Sequence, residues 1–228
     1  MSKSLYYCQD PCFGPFWGIK PYSEKWTEYH GLCRQVSLKD DLNWREVQQL
    51  QPVIAKSNLW KDFPASGLEL VGAETKSGDE DQRLDLLYLR EDGGLFPCEL
   101  KTGGKSKDTH GQLIRYMADL AFQQVDISYI RALRGKIEKW DTGLGISKEK
   151  FEEFLSLNNI QDKFLRLLPR SGMIIDEGFP SQLLKAVRFL NSDCGFSIRM
   201  IELQAFVGEE WDVSQNDYLM RIDFVEVQ

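Results

Sequence analysis

The chain has 228 residues, 42% hydrophobic and 28% charged, which suits a globular protein with one sizeable core. No run reaches the 18 or more apolar residues of a membrane span, and the start MSKSLYYCQD lacks the charged-then-apolar pattern of a signal peptide, so a cytoplasmic protein with no membrane segment is expected. A net charge of −7 argues against a protein that coats nucleic acid over a broad basic surface.

Residues 1–40 are rich in aromatics (Tyr6, Tyr7, Phe13, Phe16, Trp17, Tyr22, Trp26, Tyr29) and read as an extension packed on a main domain of residues 41–228. Cys8-x3-Cys12 and His30-x2-Cys33 stand 17 residues apart, a spacing that could supply the four N and S ligands of a structural Zn²⁺. The other reading is that these cysteines are packing residues, since free cysteine is among the most buried residue types, and that His30 packs or caps. An odd count of five cysteines argues against a disulfide framework.

Asn43 is a candidate N-cap, with Glu46 three residues on as in a capping box. A helix is expected over 44–50, with Pro52 forcing a kink or a restart. Residues 68–74 alternate as a first strand, with Glu69 and Glu74 read as exposed acids.

Then come two short apolar runs, RLDLLYL and LFPCELK, separated by Glu91-Asp92-Gly93-Gly94. Acidic-Gly dipeptides between such runs signal an antiparallel hairpin. A two- or three-residue turn centred on Asp92-Gly93 sets Asp85 opposite or beside Glu99, with Lys101 two residues further along the face of Glu99. Two opposed carboxylates repel at a Cβ spacing of roughly 5 Å, and a divalent cation relieves this, because Mg²⁺ takes hard oxygen ligands, commonly one or two carboxylates plus waters and phosphate oxygens. An ammonium on the same edge is placed to face an attacking water or developing phosphate charge.

From Ser106 the pattern turns helical. Leu113, Met117, Leu120 and Ala121 make one apolar stripe, and Gln112 and Tyr116, four apart, share a neighbouring face. His110 precedes that face and reads as a surface residue. Between 101 and 139 there are eight basic residues against four acidic ones, while the remainder carries −11. Within that strip Arg131, Arg134, Lys136 and Lys139 are either phosphate contacts or a solvated helix face. Segment 127–168 is helical and charged, with Ser147 a candidate N-cap. SGMIIDE is a buried strand, 179–193 a helix, and FSIRMIELQAFV and YLMRIDFVEV are alternating strands, so the hairpin sheet gains at least one parallel member. Asp176 and Glu177 close the strand GMIID.

Asp85, thirteen residues, and then Glu99-Leu100-Lys101 resembles the PD-(D/E)xK nuclease superfamily, with Leu84 where the nominal motif has proline. GQLIRY, with Gln112 and Tyr116, is similar to the Gln-x-x-x-Tyr element of its RecB-like and NucS/EndoMS-like branches. The resemblance spans about 45–207 and is of motif quality over 83–116. It implies an α/β, restriction-endonuclease-like mixed sheet flanked by helices, with Asp85 and Glu99 holding Mg²⁺ or Mn²⁺ and Lys101 orienting or activating water. It further implies that Gln112 and Tyr116 face the active centre, and that Glu46 could supply the glutamate of the family's first core helix.

The function expected is divalent-metal-dependent hydrolysis of nucleic-acid phosphodiesters, DNA in the first instance, with a protein partner supplying basic surface and a homo-oligomer both open. Two alternatives stand beside it. One is a catalytically silent nuclease-fold protein that binds DNA or sits in a defence or repair complex. The other makes the cysteine-histidine set a zinc module that binds the partner.

Overall fold

The structure, a computed structural model, describes residues 2–8, 33–45, 50–56, 67–76, 83–104, 108–122, 125–138, 148–160, 171–208 and 219–227. Its strands are β1 (Ser2–Cys8), β2 (Cys33–Val36), β3 (Leu68–Lys76), β4 (Arg83–Arg90), β5 (Leu95–Leu100), β6 (Ser171–Asp176), β7 (Ser197–Gly208) and β8 (Leu219–Val227). The helices among the described residues are α1 (Gln51–Lys56), α2 (Thr109–Phe122), α3 (Ile127–Glu138), α4 (Lys148–Leu157) and α5 (Ser181–Asp193). None of them is long and apolar enough to cross a membrane.

All eight strands join one mixed sheet, in the order β1-β8-β7-β6-β5-β4-β3, with β2 also paired to β7. The parallel pairs are β5 with β6 and β6 with β7, linked by α2 to α4 and by α5; the other pairs are antiparallel. This is the mixed α/β architecture expected. The central strands LFPCEL and SGMIID are buried at every residue, as parallel strands covered on both faces must be.

Alternation splits the core in two. Leu86, Tyr88, Cys98, Leu100, Met173 and Ile175 face Trp44, Leu50 and Ile54 on one side. Leu87, Leu89, Leu95, Ile174, Ile198 and Met200 face α2, α3, α4 and α5 on the other, through Leu113, Met117, Ile130, Phe151, Leu183 and Val187. From Leu86 to Leu100 the even-numbered stripe of β4 and β5 therefore packs on the α1 side and Leu87, Leu89 and Leu95 look toward α2, whereas Leu84, just before Asp85, joins the α2-side cluster.

Residues 1–40 are not simply laid against the domain where they are described: β1 pairs along its whole length with β8, and β2 caps the row begun by β6. The helix expected at 44–50 is not seen at 44–45. Leu50 is already in a helical turn, its N–H donating to the Arg45 carbonyl at 3.3 Å, and α1 follows from Gln51 and continues through Pro52.

Candidate active site

The β4–β5 hairpin turns through three residues. Arg90 N–H donates to the Gly94 carbonyl at 2.8 Å, and Gly93 N–H donates to the Arg90 carbonyl at 2.9 Å. Gly93 sits at φ 80°, a left-handed position glycine fills without strain, and Asp92 Oδ1 accepts the Gly94 N–H at 3.0 Å. The resulting register sets Leu86 opposite Cys98 and Tyr88 opposite Phe96. One step further, that register brings Asp85 to Glu99.

At that step the sheet opens on both sides of β4. The backbone ladder to β5 ends at Leu86 opposite Cys98, and the Asp85 carboxylate takes its place, Oδ2 accepting the Leu100 N–H at 2.7 Å. Toward β3 the pairing skips from Leu86 opposite Ala73 to Leu84 opposite Thr75. Glu74, between them, stands at φ 48°, a costly conformation for a residue with a Cβ. Into this opening the Gln51 amide donates to the Asp85 backbone carbonyl at 2.6 Å and to Glu74 Oε1 at 3.1 Å. Left-handed non-glycine residues such as Glu74 cluster beside functional sites.

Glu99 is 1% exposed, and Lys101 Nζ meets its Oε1 at 2.7 Å. Tyr116 reaches the same place from α2 and donates its hydroxyl to the Arg83 carbonyl at 2.7 Å. Burial first, and then the charges of Glu99 and Asp85, push that hydroxyl up to about 12, while Lys101 and Arg115 pull it back in part. The Cys98 thiol is pushed well above its usual range by burial and then by Asp85 and Glu99. Two separate groups thus feel both carboxylates. Gln112, half-buried, lies one turn before Tyr116 on α2.

Glu99, Lys101 and Tyr116 therefore gather at the end of the hairpin, with the Asp85 carboxylate turned to the Leu100 N–H beside them. Among the described residues no set of three or more His, Cys, Asp or Glu side chains is grouped to hold a metal ion. The donor set on hand is two carboxylates, which fits an ion such as Mg²⁺ that keeps most of its waters. Glu46, Cys12 and His30 lie outside the described residues. Cys8 and Cys33 fall in β1 and β2 without described side chains, so the zinc set as a whole lies outside them too.

Glu69 and Glu74 are not the free surface acids expected. Glu74 takes Gln51 and lies 3.9 Å from Arg83, and Glu69 meets Arg134 at 2.7 Å. Arg134 itself is 2% exposed, donates to the Leu70 carbonyl and lies over the Phe151 ring, which removes it from any phosphate-contacting strip. Arg131 pairs with Glu152 on the surface, and Lys136 is exposed. Lys139 lies outside the described residues. His110 is half-buried.

Sequence reading attached no partners to Asp176 and Glu177, and the structure supplies them. Glu177 accepts the N–H groups of Leu38 at 2.5 Å, Lys39 at 3.3 Å and Gly103 at 2.6 Å, while Asp176 Oδ1 accepts Gly104 N–H at 3.0 Å. These two acids fasten the loop that leaves Lys101 to the turn at 37–42. Beside it opens a cleft of about 440 Å³, lined by Gln35, Ser37, Asp40, Gly103, Gly104 and Glu177, with no basic side chain among its described lining. No protein-family model matches the chain, and neither characterised proteins nor solved structures offer a match.

Proposed function

We propose that the protein is a divalent-metal-dependent nuclease of the PD-(D/E)xK kind that hydrolyses phosphodiester bonds of nucleic acid, with DNA as the substrate. The observation that carries this reading is the gathering of Asp85, the Glu99–Lys101 pair and the Tyr116 hydroxyl at one point where the β4 ladders are interrupted on both sides. In this reading Asp85 and Glu99 hold Mg²⁺ or Mn²⁺. The bound ion supplies Lewis acidity toward the phosphate and a lowered pKa for its water. Lys101, ion-paired with Glu99 and largely withdrawn from solvent, presents a positive charge beside the reacting phosphate. Tyr116 keeps its proton through neutral pH and serves as a hydrogen-bond donor, not a base. Gln112 lies one turn away on the same helix and is assigned to the substrate strand.

A second reading, a silent nuclease-fold protein that binds a partner, draws support from the burial of Arg134, which thins the basic strip on a chain of net charge −7. One experiment separates the two. Purified protein, Glu99→Gln and Lys101→Ala are incubated with single- and double-stranded DNA, with Mg²⁺ or Mn²⁺ and with EDTA. The nuclease reading expects cleavage that EDTA abolishes and that each substitution lowers by about 100-fold or more, the scale of losing an electrostatic group at a reacting centre. Equal cutting by all three proteins, or none by any, leaves the binding reading.

A further inference from the structure

Gln51 is the first residue of α1 and is 1% exposed. Its Nε2 donates to the Asp85 carbonyl at 2.6 Å and to Glu74 Oε1 at 3.1 Å. Its Oε1 is buried with no hydrogen-bond partner among the described residues. A buried polar atom left unsatisfied costs about 1–3 kcal/mol, so an apolar side chain of the same length would suit the packing better. A second cost stands beside it, the left-handed backbone of Glu74 at φ 48°. Both unfavourable features meet at one atom, the backbone carbonyl of Asp85, at the step between the pairs Leu86–Ala73 and Leu84–Thr75.

We infer that Gln51 is a positioning residue for the metal-binding carboxylate. By bonding the Asp85 carbonyl and anchoring on Glu74, it holds the β4 backbone open and fixed at Asp85, so that the Asp85 side chain stays on the Leu100 N–H and beside Glu99. The amide bonds the Asp85 carbonyl at the step between the pairs Ala73 opposite Leu86 and Thr75 opposite Leu84, beside the left-handed backbone of Glu74. This inference rests on the nuclease reading of the same site.

The test uses Gln51→Met, which keeps the length and packing and removes the donor. Glu74→Gly is the second variant, because glycine adopts φ 48° without strain and only the carboxylate anchor is lost. Mn²⁺ binding is measured by calorimetry on the full chain without nucleic acid, alongside Asp85→Asn and thermal unfolding of each protein. Kinetics of DNA cleavage are recorded in parallel. Supporting elements around metal ligands typically change metal affinity or activity 10–100-fold when removed. The expected result is Mn²⁺ binding about tenfold weaker in Gln51→Met and in Glu74→Gly, with kcat lowered and KM for DNA unchanged in proteins that still unfold cooperatively. Should Asp85→Asn lose Mn²⁺ while both variants bind it as tightly as the parent, the positioning role is overturned and the metal site stands. If the parent binds no Mn²⁺, or Asp85→Asn binds as the parent does, the nuclease reading fails and takes the positioning role with it.

Discussion

Glu99 and Lys101 show how one residue can carry both stability and chemistry. Their side chains are 2% and 17% exposed, so removing the ammonium leaves a carboxylate buried beside Asp85 with its charge uncompensated, a change that costs about 3–5 kcal/mol when a buried pair is broken. Loss of cleavage in Lys101→Ala thus mixes folding with function, and Glu99→Gln, which removes the charge instead of stranding it, is the cleaner probe. Tyr116 permits a test with a definite sign. Its folded hydroxyl titrates at about 12, raised from the usual value near 10 by burial and by the two carboxylates. The folded state therefore holds this proton more tightly than the unfolded chain. The stability so contributed is fully present below about pH 10 and is lost as pH rises from 10 toward 12, by about 1 kcal/mol per pH unit in that window. Tyr116→Phe is expected to lose about 1 kcal/mol at pH 8, where the bond to the Arg83 carbonyl goes, and to show a shallower decline above pH 10. Urea unfolding at stepped pH checks both; parallel declines in the two proteins refute the assignment.

At the level of elements, what could be read in advance was whatever depends on neighbours in sequence. The β4–β5 hairpin follows from two apolar runs about a turn whose Asp92 and Gly93 perform the local bonding and the left-handed φ that their residue types favour. The stripe of α2 follows from its spacing, with Leu113, Met117 and Leu120 all buried, although Ala121, on the expected stripe, is exposed. What could not be read were pairings across long separations. Arg134 sits in a charged helix and reads as surface, because Glu69 and the Leu70 carbonyl that bury it come from β3. Gln51 reads as one polar residue among several in QQLQP, since nothing local says that the β3 ladder will break opposite it. The glycines that follow Lys101 also owe their place to a distant neighbour. Gly104 stands at φ 62°, and a Cβ on it would lie 3.3 Å from backbone atoms of Gly178, which cannot move aside as a side chain can. Gly104→Ala is expected to cost about 1–2 kcal/mol. Gly135, inside α3 with open space around it, carries the opposite expectation, a gain of up to about 1 kcal/mol in Gly135→Ala. Denaturation midpoints for the two variants check the contrast, and a loss at both positions would show that the local geometry is not what sets their effects.

For the whole molecule, the sheet order decides which parts can fail independently. The candidate site lies on β4 and β5, whereas β1 covers the far edge at β8, four strand spacings or roughly 19 Å from β4. The two strands pair from Ser2 opposite Val225 to Cys8 opposite Leu219, so the N-terminal strand closes a row of β8 backbone groups that would otherwise face solvent. The apolar residues Met220, Ile222 and Phe224 of β8 lie in the core on the α1 side and keep that strand in place from one face. Deleting residues 1–8 therefore strips an edge but leaves the strands that carry Asp85, Glu99 and Lys101 paired as before. An exposed, regular edge strand is a template for pairing with another chain. The truncated protein is expected to unfold at lower temperature and to self-associate with rising concentration on size-exclusion chromatography, while Mn²⁺ binding per folded molecule stays within about twofold of the parent, as expected for sites too far apart to couple. A truncated protein that remains monomeric with an unchanged midpoint would mean that β1 is not part of the working sheet. One that loses Mn²⁺ binding while folded would mean that the site depends on the far edge, against the separation that the strand order describes.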